Sequence, residues 1–557
     1  MESIFLELTV VIFLVAVLSI IFRFLKQPSI LAFIMTGIIV GPVGLFNFHS
    51  HELMQSLASI GITLLLFMIG LELNVKELRS VGRNALLAGG GQMFFTSVAG
   101  FGISLLLGFS VLTSVYIGIA LAFSSTILII KLLSDKRDLK SLYGKITVGI
   151  LIVQDLVAIF ILILLSTFSG VGGTSIDYVQ ILIAFVKVVV LFGWVIFLSR
   201  NILPKILNVI ARSSESLFLF SLAWVFGIAA LVSSPFIGFS IEIGGLLAGI
   251  ALATSIESYQ IITKVKPLRD FFITIFFVTL GMDLAFNNIS QILVSVSVFS
   301  IFVLLISPII LMVILGLLKY KKRTTFLAAI TLAQISEFSL IMLYLGNKIG
   351  HVPQEVLSII TFVGVITFVI STYFITNSNY LYKLLLPILG IFERKSIDSE
   401  KEPEELKNHI ILIGANRMGE GILQALIKKN VKFVVVDFDP DIIEKLNRKK
   451  IKTFFGDISD PEIAQAVNVE KADLIISTAS DPEDNLSLLK SIKKFKDVKI
   501  IVAAFDKNDA KEFYKAGADY VIMPHIAGGN HLANILIADD HIKLIEEYKE
   551  KEKIYVS

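Results

Sequence analysis

A carboxylate stands in the middle of an apolar run of this chain. Asp155 follows Gln154 within residues 146–167, a stretch long enough to cross a bilayer as a helix. A charge at membrane depth is costly unless it faces a cavity, a cation or a proton. A carboxylate that binds a monovalent cation also binds a proton, so the two compete for one negative site. Asp155 is therefore predicted to bind K+ or Na+ and H+. The alternative is a structural carboxylate neutralised by a polar neighbour.

Two further polar groups interrupt apolar runs, Ser124-Ser125-Thr126 and Gln334-Ile335-Ser336-Glu337. Hydroxyl and amide side chains can satisfy the backbone groups that a broken helix leaves open, and such breaks line ion sites. We predict two broken helices at these places, and Gln154, the chain neighbour of Asp155, is a further candidate ion-binding residue. The further candidate ion- and proton-binding residues are Ser124, Ser125, Thr126, Gln334, Ser336 and Glu337. Helix packing by small residues, or a structural anchor at Glu337, are the alternatives.

Competition at one carboxylate predicts antiport. A cation bound from one side is displaced by a proton from the other. Exchanging one proton for one monovalent cation moves no net charge. Because no second acid stands beside Asp155 in the sequence, we predict electroneutral exchange.

Composition places these groups in a membrane protein. The chain is 55% hydrophobic and 17% charged, with a mean hydropathy of +0.83, whereas soluble domains are about 45–50% apolar. Residues 1–380 are apolar blocks joined by short charged loops, and residues 393–557 have a soluble composition. The net charge of +3 gives no indication of nucleic-acid binding. The absence of cysteine excludes disulfides, thiol catalysis and cysteine-ligated zinc.

The apolar blocks predict about thirteen transmembrane helices. They cover 4–22, 29–45, 54–72, 85–108, 112–132, 146–167, 179–199, 216–233, 236–254, 271–286, 291–318, 325–346 and 355–377. One alternating set of loops holds roughly twenty basic residues and the other holds only Lys348, which places the N-terminus outside and the C-terminal domain in the cytoplasm. The first block has no basic n-region or cleavage site, so we interpret it as a retained helix. The breaks in spans five and twelve fit two inverted repeats.

The C-terminal region has the pattern of a Rossmann-like α/β domain. Strands are predicted at 409–413, 432–436, up to 455, 473–477, 499–504 and 520–522, with helices between them, which indicates a doubly wound parallel sheet. A glycine-rich turn follows the first strand, and Asp437 stands where an acid would bind ribose hydroxyls. The candidate nucleotide-binding residues are Gly414, Asn416, Arg417, Met418, Gly419, Asp437 and Asp457.

The middle glycine of the turn is replaced by Asn416. That position normally lets the backbone approach a pyrophosphate, so a mononucleotide such as AMP fits better than NAD(H). A nucleotide-free regulatory fold is the alternative. No catalytic acid/base set accompanies the fold, and we predict that the protein is not an enzyme.

Taken together, the membrane motifs resemble the Kef-type branch of the second monovalent cation:proton antiporter family. The resemblance rests on Gln27-Pro28-Ser29-Ile30, 37–42, 66–73, Ser124-Ser125-Thr126, Gln154-Asp155, 276–282 and 334–338. It implies a thirteen-helix homodimer in which a core bundle moves like an elevator and Asp155 carries the ion or proton. The Gln-Asp pair resembles that of potassium-linked members. Many relatives have a basic residue in the eleventh span, where this chain has Ser307 and Pro308; this departure leaves a channel-like leak open.

The C-terminal segment resembles the N-lobe of regulator-of-potassium-conductance domains, also called the TrkA N-terminal domain. Gly456-Asp457 and Gly517-Ala518-Asp519 carry this resemblance. It implies a domain that dimerises and binds nucleotides as ligands. The second lobe found in many such proteins is not expected, because the chain ends soon afterwards.

The predicted organisation is an exchanger domain over 1–378, an interfacial helix and linker over 379–407, a nucleotide-binding domain over 408–530 and a helical tail over 531–557. The predicted function is K+/H+ antiport across a prokaryotic inner membrane under nucleotide control. A Na+/H+ antiporter, a ligand-gated cation channel and a membrane-tethered oxidoreductase are the alternatives. Whether an ancillary regulatory subunit binds is left open.

Overall fold

The structure is a computed structural model of the 557-residue chain. It describes all residues except 1, 44–49, 73–82, 137, 169–189, 192, 196, 211–212, 235–236, 238–239, 254, 256, 285–288, 319, 391–405, 416–417, 438–439, 457–460, 480–481, 493–494, 496–497 and 538–557. The chain forms two compact units. The membrane unit comprises 1–133, 146–318 and 325–392, and the α/β unit comprises 134–145, 319–324 and 393–557.

The membrane unit is helical, as its apolar blocks predict. Its N-terminal half contains α1 (Glu2–Phe24), α2 (Ser29–Val40), α3 (His51–Glu72), α4 (Arg83–Leu106), α5 (Val111–Ala120), α6 (Thr126–Asp135) and α7 (Leu142–Phe168). Residues 190–191, 193–195 and 197–201 are also helical. The remaining helices are α8 (Leu203–Ile210), α9 (Ser214–Val232), α10 (Ile241–Leu252), α11 (Ser258–Met282), α12 (Ile289–Ile301), α13 (Ser307–Leu317), α14 (Lys322–Thr331), α15 (Glu337–Lys348), α16 (Gln354–Thr376) and α17 (Ser378–Leu389).

Seven helices among the described residues are long and apolar enough to cross a membrane, and three shorter apolar helices accompany them. The predicted polytopic helical class is confirmed, while the count of thirteen spans stays a prediction. α11 begins at Ser258, well before the predicted span start at 271. A π-helical turn, Phe302–Ile306, joins α12 to α13. It directly precedes the turn containing Pro308, which has no backbone N–H to donate.

The helices of the membrane unit pack as two bundles. In the first, α3 lies against α10 and α11, α2 against α1 and α11, and α9 against α10. Glycines allow this approach: a Cβ at Gly70 would lie 2.5 Å from the carbonyl oxygen of Leu246. In the second, α4 contacts α5 and α13, α5 contacts α15, and α16 contacts α12 and α15. The second bundle contains both predicted breaks.

The α/β unit is built around one parallel sheet. Its strands are β1 (His409–Ile413), β2 (Phe433–Asp437), β3 (Thr453–Phe455), β4 (Ala472–Ser477), β5 (Lys499–Ala503) and β6 (Tyr520–Ile522), in the order β3-β2-β1-β4-β5-β6. Its helices are α18 (Met418–Lys429), α19 (Pro440–Arg448), α20 (Pro461–Ala466), α21 (Pro482–Ile492), α22 (Lys507–Ala516) and α23 (Pro524–Ile537). Buried apolar strand residues, such as Ile411, Val434 and Ile475, form the core. The predicted doubly wound class is confirmed; α23 runs across the boundary placed at 530.

Candidate functional site

Both predicted breaks exist, and they lie against each other. Helix stops at Ala120 and resumes at Thr126, and it stops again at Thr331 and resumes at Glu337. The Ser124 hydroxyl donates to the carbonyl oxygen of Leu332 at 2.9 Å. In the opposite direction, the Ser339 hydroxyl donates to the carbonyl oxygen of Ala120 at 2.6 Å. Because these bonds satisfy carbonyls that the breaks release, the two breaks form one buried crossing.

The first break, 121–125, is held by two amide side chains. Gln154 accepts from the Ser124 backbone N–H through Oε1 at 2.9 Å. Its Nε2 donates to Oε1 of Gln92, on α4, at 2.8 Å. Nε2 of Gln92 donates in turn to the carbonyl oxygen of Ala122 at 3.2 Å. Neighbouring helices therefore supply the polar partners that residues 121–125 lack within their own helix.

Asp155 lies on α7, next to the start of α6. The Thr126 hydroxyl is 3.0 Å from Oδ1 and 3.1 Å from Oδ2 of Asp155. The carboxylate is partly buried. Thr126 is the first residue of α6, and helix N-termini favour negative charge. The carboxylate thus faces the crossing with one hydroxyl donor, an arrangement in which a monovalent cation or a proton can be its counter-charge.

The second break, 332–336, is held largely by hydroxyls. Ser336 caps α15 by accepting from the Phe338 N–H, and Ser339 accepts from the Ser336 N–H. Gln334 accepts from the Ser371 hydroxyl, on α16, at 2.5 Å. Nε2 of Gln334 is buried without a hydrogen-bond partner. In the second break, local serine caps and the neighbouring helix α16 therefore supply the hydrogen bonds that two amides supply in the first break.

Glu337, the first residue of α15, joins the two breaks. Its Oε1 accepts from the Ser125 hydroxyl at 2.7 Å, and its Oε2 lies 3.5 Å from the Ser336 hydroxyl. Ser125 also accepts from the Leu128 N–H and so caps α6. The expectation that Asp155 has no acidic neighbour holds along the sequence only. The fold brings a second carboxylate to the crossing, because Glu337 contacts Ser125, the chain neighbour of the Thr126 that contacts Asp155.

The structure thus brings all eight predicted ion-site residues to one place. It also adds residues that the sequence analysis missed, namely Gln92, Ser339, Thr367 and Ser371, which supply hydrogen bonds to the two breaks. A glutamine inside the predicted span 85–108 was the available signal for Gln92. The three hydroxyls gave no such signal, because serine and threonine are common in membrane helices.

An ion pair between a buried acid and a half-exposed lysine lies away from the crossing. Glu242, in the first turn of α10, has a fully buried side chain, and Nζ of Lys348, at the end of α15, lies 3.2 Å from its Oε1. Lys348 is the basic residue that stands alone in its set of predicted loops. The pair links the first bundle to the second.

The glycine-rich turn of the α/β unit has the geometry that its sequence predicts. Gly414 follows β1 with φ +80°, a conformation that favours glycine. A Cβ at Gly419, in the first turn of α18, would collide with the carbonyl oxygen of Gly414. β1 lies between β2 and β4, where the strand order reverses, and such switch points bind ligands in open α/β sheets. Met418 is the first residue of α18; Asn416, Arg417 and Asp457 lie outside the described residues.

Two aspartates of this unit have backbone partners. Oδ2 of Asp437, at the end of β2, accepts from the Ala415 N–H at 2.7 Å, so this acid already holds the turn in place. Asp519 accepts from the Ile500 N–H and from Nζ of Lys499, both at 2.8 Å. The hydrogen bond from Lys499 lowers the pKa of Asp519. The Gly517-Ala518-Asp519 motif therefore ties the start of β6 to β5.

Comparison with known proteins identifies both units. Residues 10–377 match the model of the sodium/hydrogen exchanger transmembrane family. The chain belongs to that family. Residues 410–524 match the TrkA-N domain. An exchanger domain followed by a TrkA-N domain is the arrangement of Kef-type cation:proton antiporters, so the predicted family is confirmed.

Three relatives match this chain over most of their own length. The protein YbaL of Escherichia coli K12 is 26% identical over 511 residues, covering 90% of this chain and 91% of YbaL. The glutathione-regulated potassium-efflux system protein KefC of Enterobacter sp. 638 is 27% identical over 497 residues, 88% and 78% of the two chains. The iron transporter MagA of Paramagnetospirillum magneticum is 28% identical over 368 residues, 65% and 82%.

Proposed function

We propose that this exchanger swaps K+ for H+ across a prokaryotic inner membrane, with Asp155 as the group that binds each in turn. The observation that carries the proposal is the Asp155 carboxylate, contacted by Thr126 at 3.0 Å, beside two broken helices that cross. Because K+ and H+ would bind the same carboxylate, binding of one displaces the other. The likeness to KefC, named for potassium efflux, supports K+ as the cargo.

The test is exchange in proteoliposomes that contain a pH-sensitive dye. An imposed pH gradient should collapse when K+ is added, and Asp155→Asn should abolish this response while the protein still runs as a folded particle on size exclusion. Glu355→Gln, an exposed acid in the first turn of α16, serves as the matched control and should exchange normally. Undiminished exchange by Asp155→Asn would remove the basis of the proposal.

Sodium/proton antiport is the second candidate, favoured by the family to which the membrane unit belongs. The same assay, run with equal concentrations of K+ and Na+, separates the two. A third measurement with ferrous ion tests iron, the ion for which the transporter MagA is named. The proposal requires the greatest response with K+.

Electroneutral, elevator-type exchange by a homodimer with the N-terminus outside is part of the same proposal. The Glu337 carboxylate at the crossing makes the stoichiometry a direct question, since a second proton carried there would make exchange electrogenic. Exchange rates that do not change when a potassium-independent membrane potential is imposed would support one-for-one exchange. Rates that follow the potential would reject it.

Nucleotide control through the TrkA-N domain completes the proposal. We place this regulatory domain at residues 408–530. The turn at Gly414 and the N-terminus of α18 provide backbone donors for a phosphate. AMP and NADH should change the exchange rate of the full-length wild type, and the ligand with the larger effect identifies the nucleotide. Asp437→Asn, which keeps an acceptor for the Ala415 N–H, should leave basal exchange intact and weaken the nucleotide response.

A further inference from the structure

Gln92 is not among the residues that would bind the cation directly, yet it is a nearly fully buried polar residue of the membrane unit. Its side chain is 2% exposed. It lies on α4 and reaches into the first break, where it contacts both Gln154 and the carbonyl oxygen of Ala122. A buried primary amide in a membrane helix requires partners. Nε2 of Gln92 also donates to the Thr96 hydroxyl, on the same helix, at 3.3 Å, whereas Gln154 and the Ala122 carbonyl belong to the proposed ion site.

The hydrogen bonds that join Gln92 to the first break form one chain with a single polarity. The Ala122 carbonyl can only accept, so Gln92 must direct Nε2 towards it at 3.2 Å. Oε1 of Gln92 then faces Nε2 of Gln154 at 2.8 Å. Gln154 is left with Oε1 for the Ser124 N–H at 2.9 Å. The chain begins and ends on residues 122–124, and turning either amide over would set two acceptors or two donors against each other.

This polarity bears on the two residues that come directly after Ser124. They are Ser125, which donates to Glu337, and Thr126, which contacts Asp155. The position of both hydroxyls depends on where the backbone at 122–124 is held. Asp155 is also the chain neighbour of Gln154 on α7, so the orientation of Gln154 and the place of the carboxylate are set together.

We infer that Gln92 is a positioning residue of the cation site. By fixing the orientation of Gln154 and the Ala122 carbonyl, it sets the geometry of the oxygen atoms that meet the cation. The inference rests on the proposed function, because it assigns Gln92 to the site at which K+ and H+ would compete. Gln92 is not a ligand; it acts through Gln154 and the backbone of the first break.

The first test is Gln92→Leu, which keeps the approximate volume and removes both hydrogen-bonding functions. In the proteoliposome assay the KM for K+ should rise about tenfold, since Nε2 of Gln154 and the Ala122 carbonyl lose their bonds to Gln92 and keep only their 3.5 Å contact with each other; the maximal rate should fall less. Gln55→Leu makes the same substitution on α3, away from the crossing, and should leave KM within about twofold. A fall in maximal rate at unchanged KM would overturn the inference.

The second test remains informative even if Gln92→Leu does not fold. In Gln92→Glu the introduced carboxyl, when protonated, can donate to Ala122 and accept from Gln154, whereas the ionised form can only accept. Exchange relative to wild type at the same pH should therefore be near normal at low pH and fall as the pH rises. A ratio that does not depend on pH would contradict a positioning role.

The wild type and Asp155→Asn separate the inference from the function beneath it. If the wild type exchanges no cation for protons, the proposed function fails. If the wild type exchanges, Asp155→Asn does not, and Gln92→Leu behaves as wild type, the positioning role fails alone.

Discussion

The two breaks of the membrane unit face the same physical problem and are stabilised by different chemistry. Each leaves backbone groups without helical partners among buried residues of the membrane unit. Residues 121–125 depend on amides from two other helices, Gln92 and Gln154. Residues 332–336 depend mainly on their own serine cap, together with hydroxyls from α16. The first break is therefore sensitive to movement of its neighbours, and the second is more nearly self-contained.

The acidic residues differ in the same way. Asp155 comes from a different helix and has one hydroxyl contact, Thr126. Glu337 belongs to the helix that the second break begins and has hydroxyl oxygens near both of its carboxylate oxygens. The carboxylate with fewer fixed partners is the one better suited to exchange them. This difference supports the proposal that Asp155 binds the transported ion, and it favours the structural alternative for Glu337.

Neutralising each acid in turn tests the difference between Asp155 and Glu337 most directly. Asp155→Asn should reduce K+-driven proton movement at least about 100-fold, whereas Glu337→Gln, which keeps an acceptor for Ser125, should reduce it by about tenfold or less. Initial dequenching rates in proteoliposomes, at equal protein per vesicle, measure both. Equal losses would mean that the two carboxylates act as one unit.

The glutamines of the two breaks should also differ. Gln154→Leu breaks a chain of hydrogen bonds that holds three backbone or amide groups, so the KM for K+ should rise about tenfold. Gln334→Leu removes a side chain that accepts a hydrogen bond from the Ser371 hydroxyl, and KM should rise by about threefold or less. A larger rise in KM for Gln334→Leu than for Gln154→Leu would show that cation binding depends more on the second break.

The two bonds across the crossing allow a stability test. Ser124→Ala and Ser339→Ala each leave a buried carbonyl without its donor, at a cost of about 1 kcal/mol, and Ser339→Ala also removes the acceptor of the Ser336 N–H. Thermal unfolding of the detergent-solubilised protein should show a lowered transition for each. Because both bonds join the same two segments, the double variant should lose less than the sum of the single losses. Strict additivity would indicate that the breaks do not move together.

The smallest expected effect is at Thr126. Thr126→Val is nearly isosteric and removes the hydroxyl that contacts Asp155, so the apparent affinity for K+ should fall about threefold. Thr126→Ser keeps the hydroxyl and should retain the affinity of the wild type. If the valine and serine variants behave alike, the hydroxyl does not orient the carboxylate.

Much of this arrangement could be predicted from local sequence. Ser124-Ser125-Thr126 and Gln334-Ile335-Ser336-Glu337 mark the breaks because polar clusters are rare in apolar runs. The six strands were predicted within a few residues, since each is a short apolar run between helical segments, and the first three end at or next to Gly414, Asp437 and Gly456. Gly414 and Gly419 likewise indicated the turn between β1 and α18.

Pairing between distant residues could not be predicted in this way. Glu337 lies beside Ser125 only because two helices cross, and nothing near either residue in the chain reports that contact. The burial of Glu242 against Lys348 is of the same kind. Asp437 matches the position of a ribose-binding acid, yet its bond to Ala415 depends on the closeness of two loops. Such partners become visible only when helices and strands are placed together.

Glycines have a mechanical consequence in the first bundle. Side chains normally separate packed helices, but at Gly37 and Gly281, and at Gly70 and Gly249, main chain lies directly on main chain. Because no side chains lie between these backbones to change rotamer, the helices have little freedom to slide past one another, and we expect them to behave as one rigid group. If ion transport requires helix displacement, we therefore expect α2, α3, α10 and α11 to stay fixed relative to one another while other helices move.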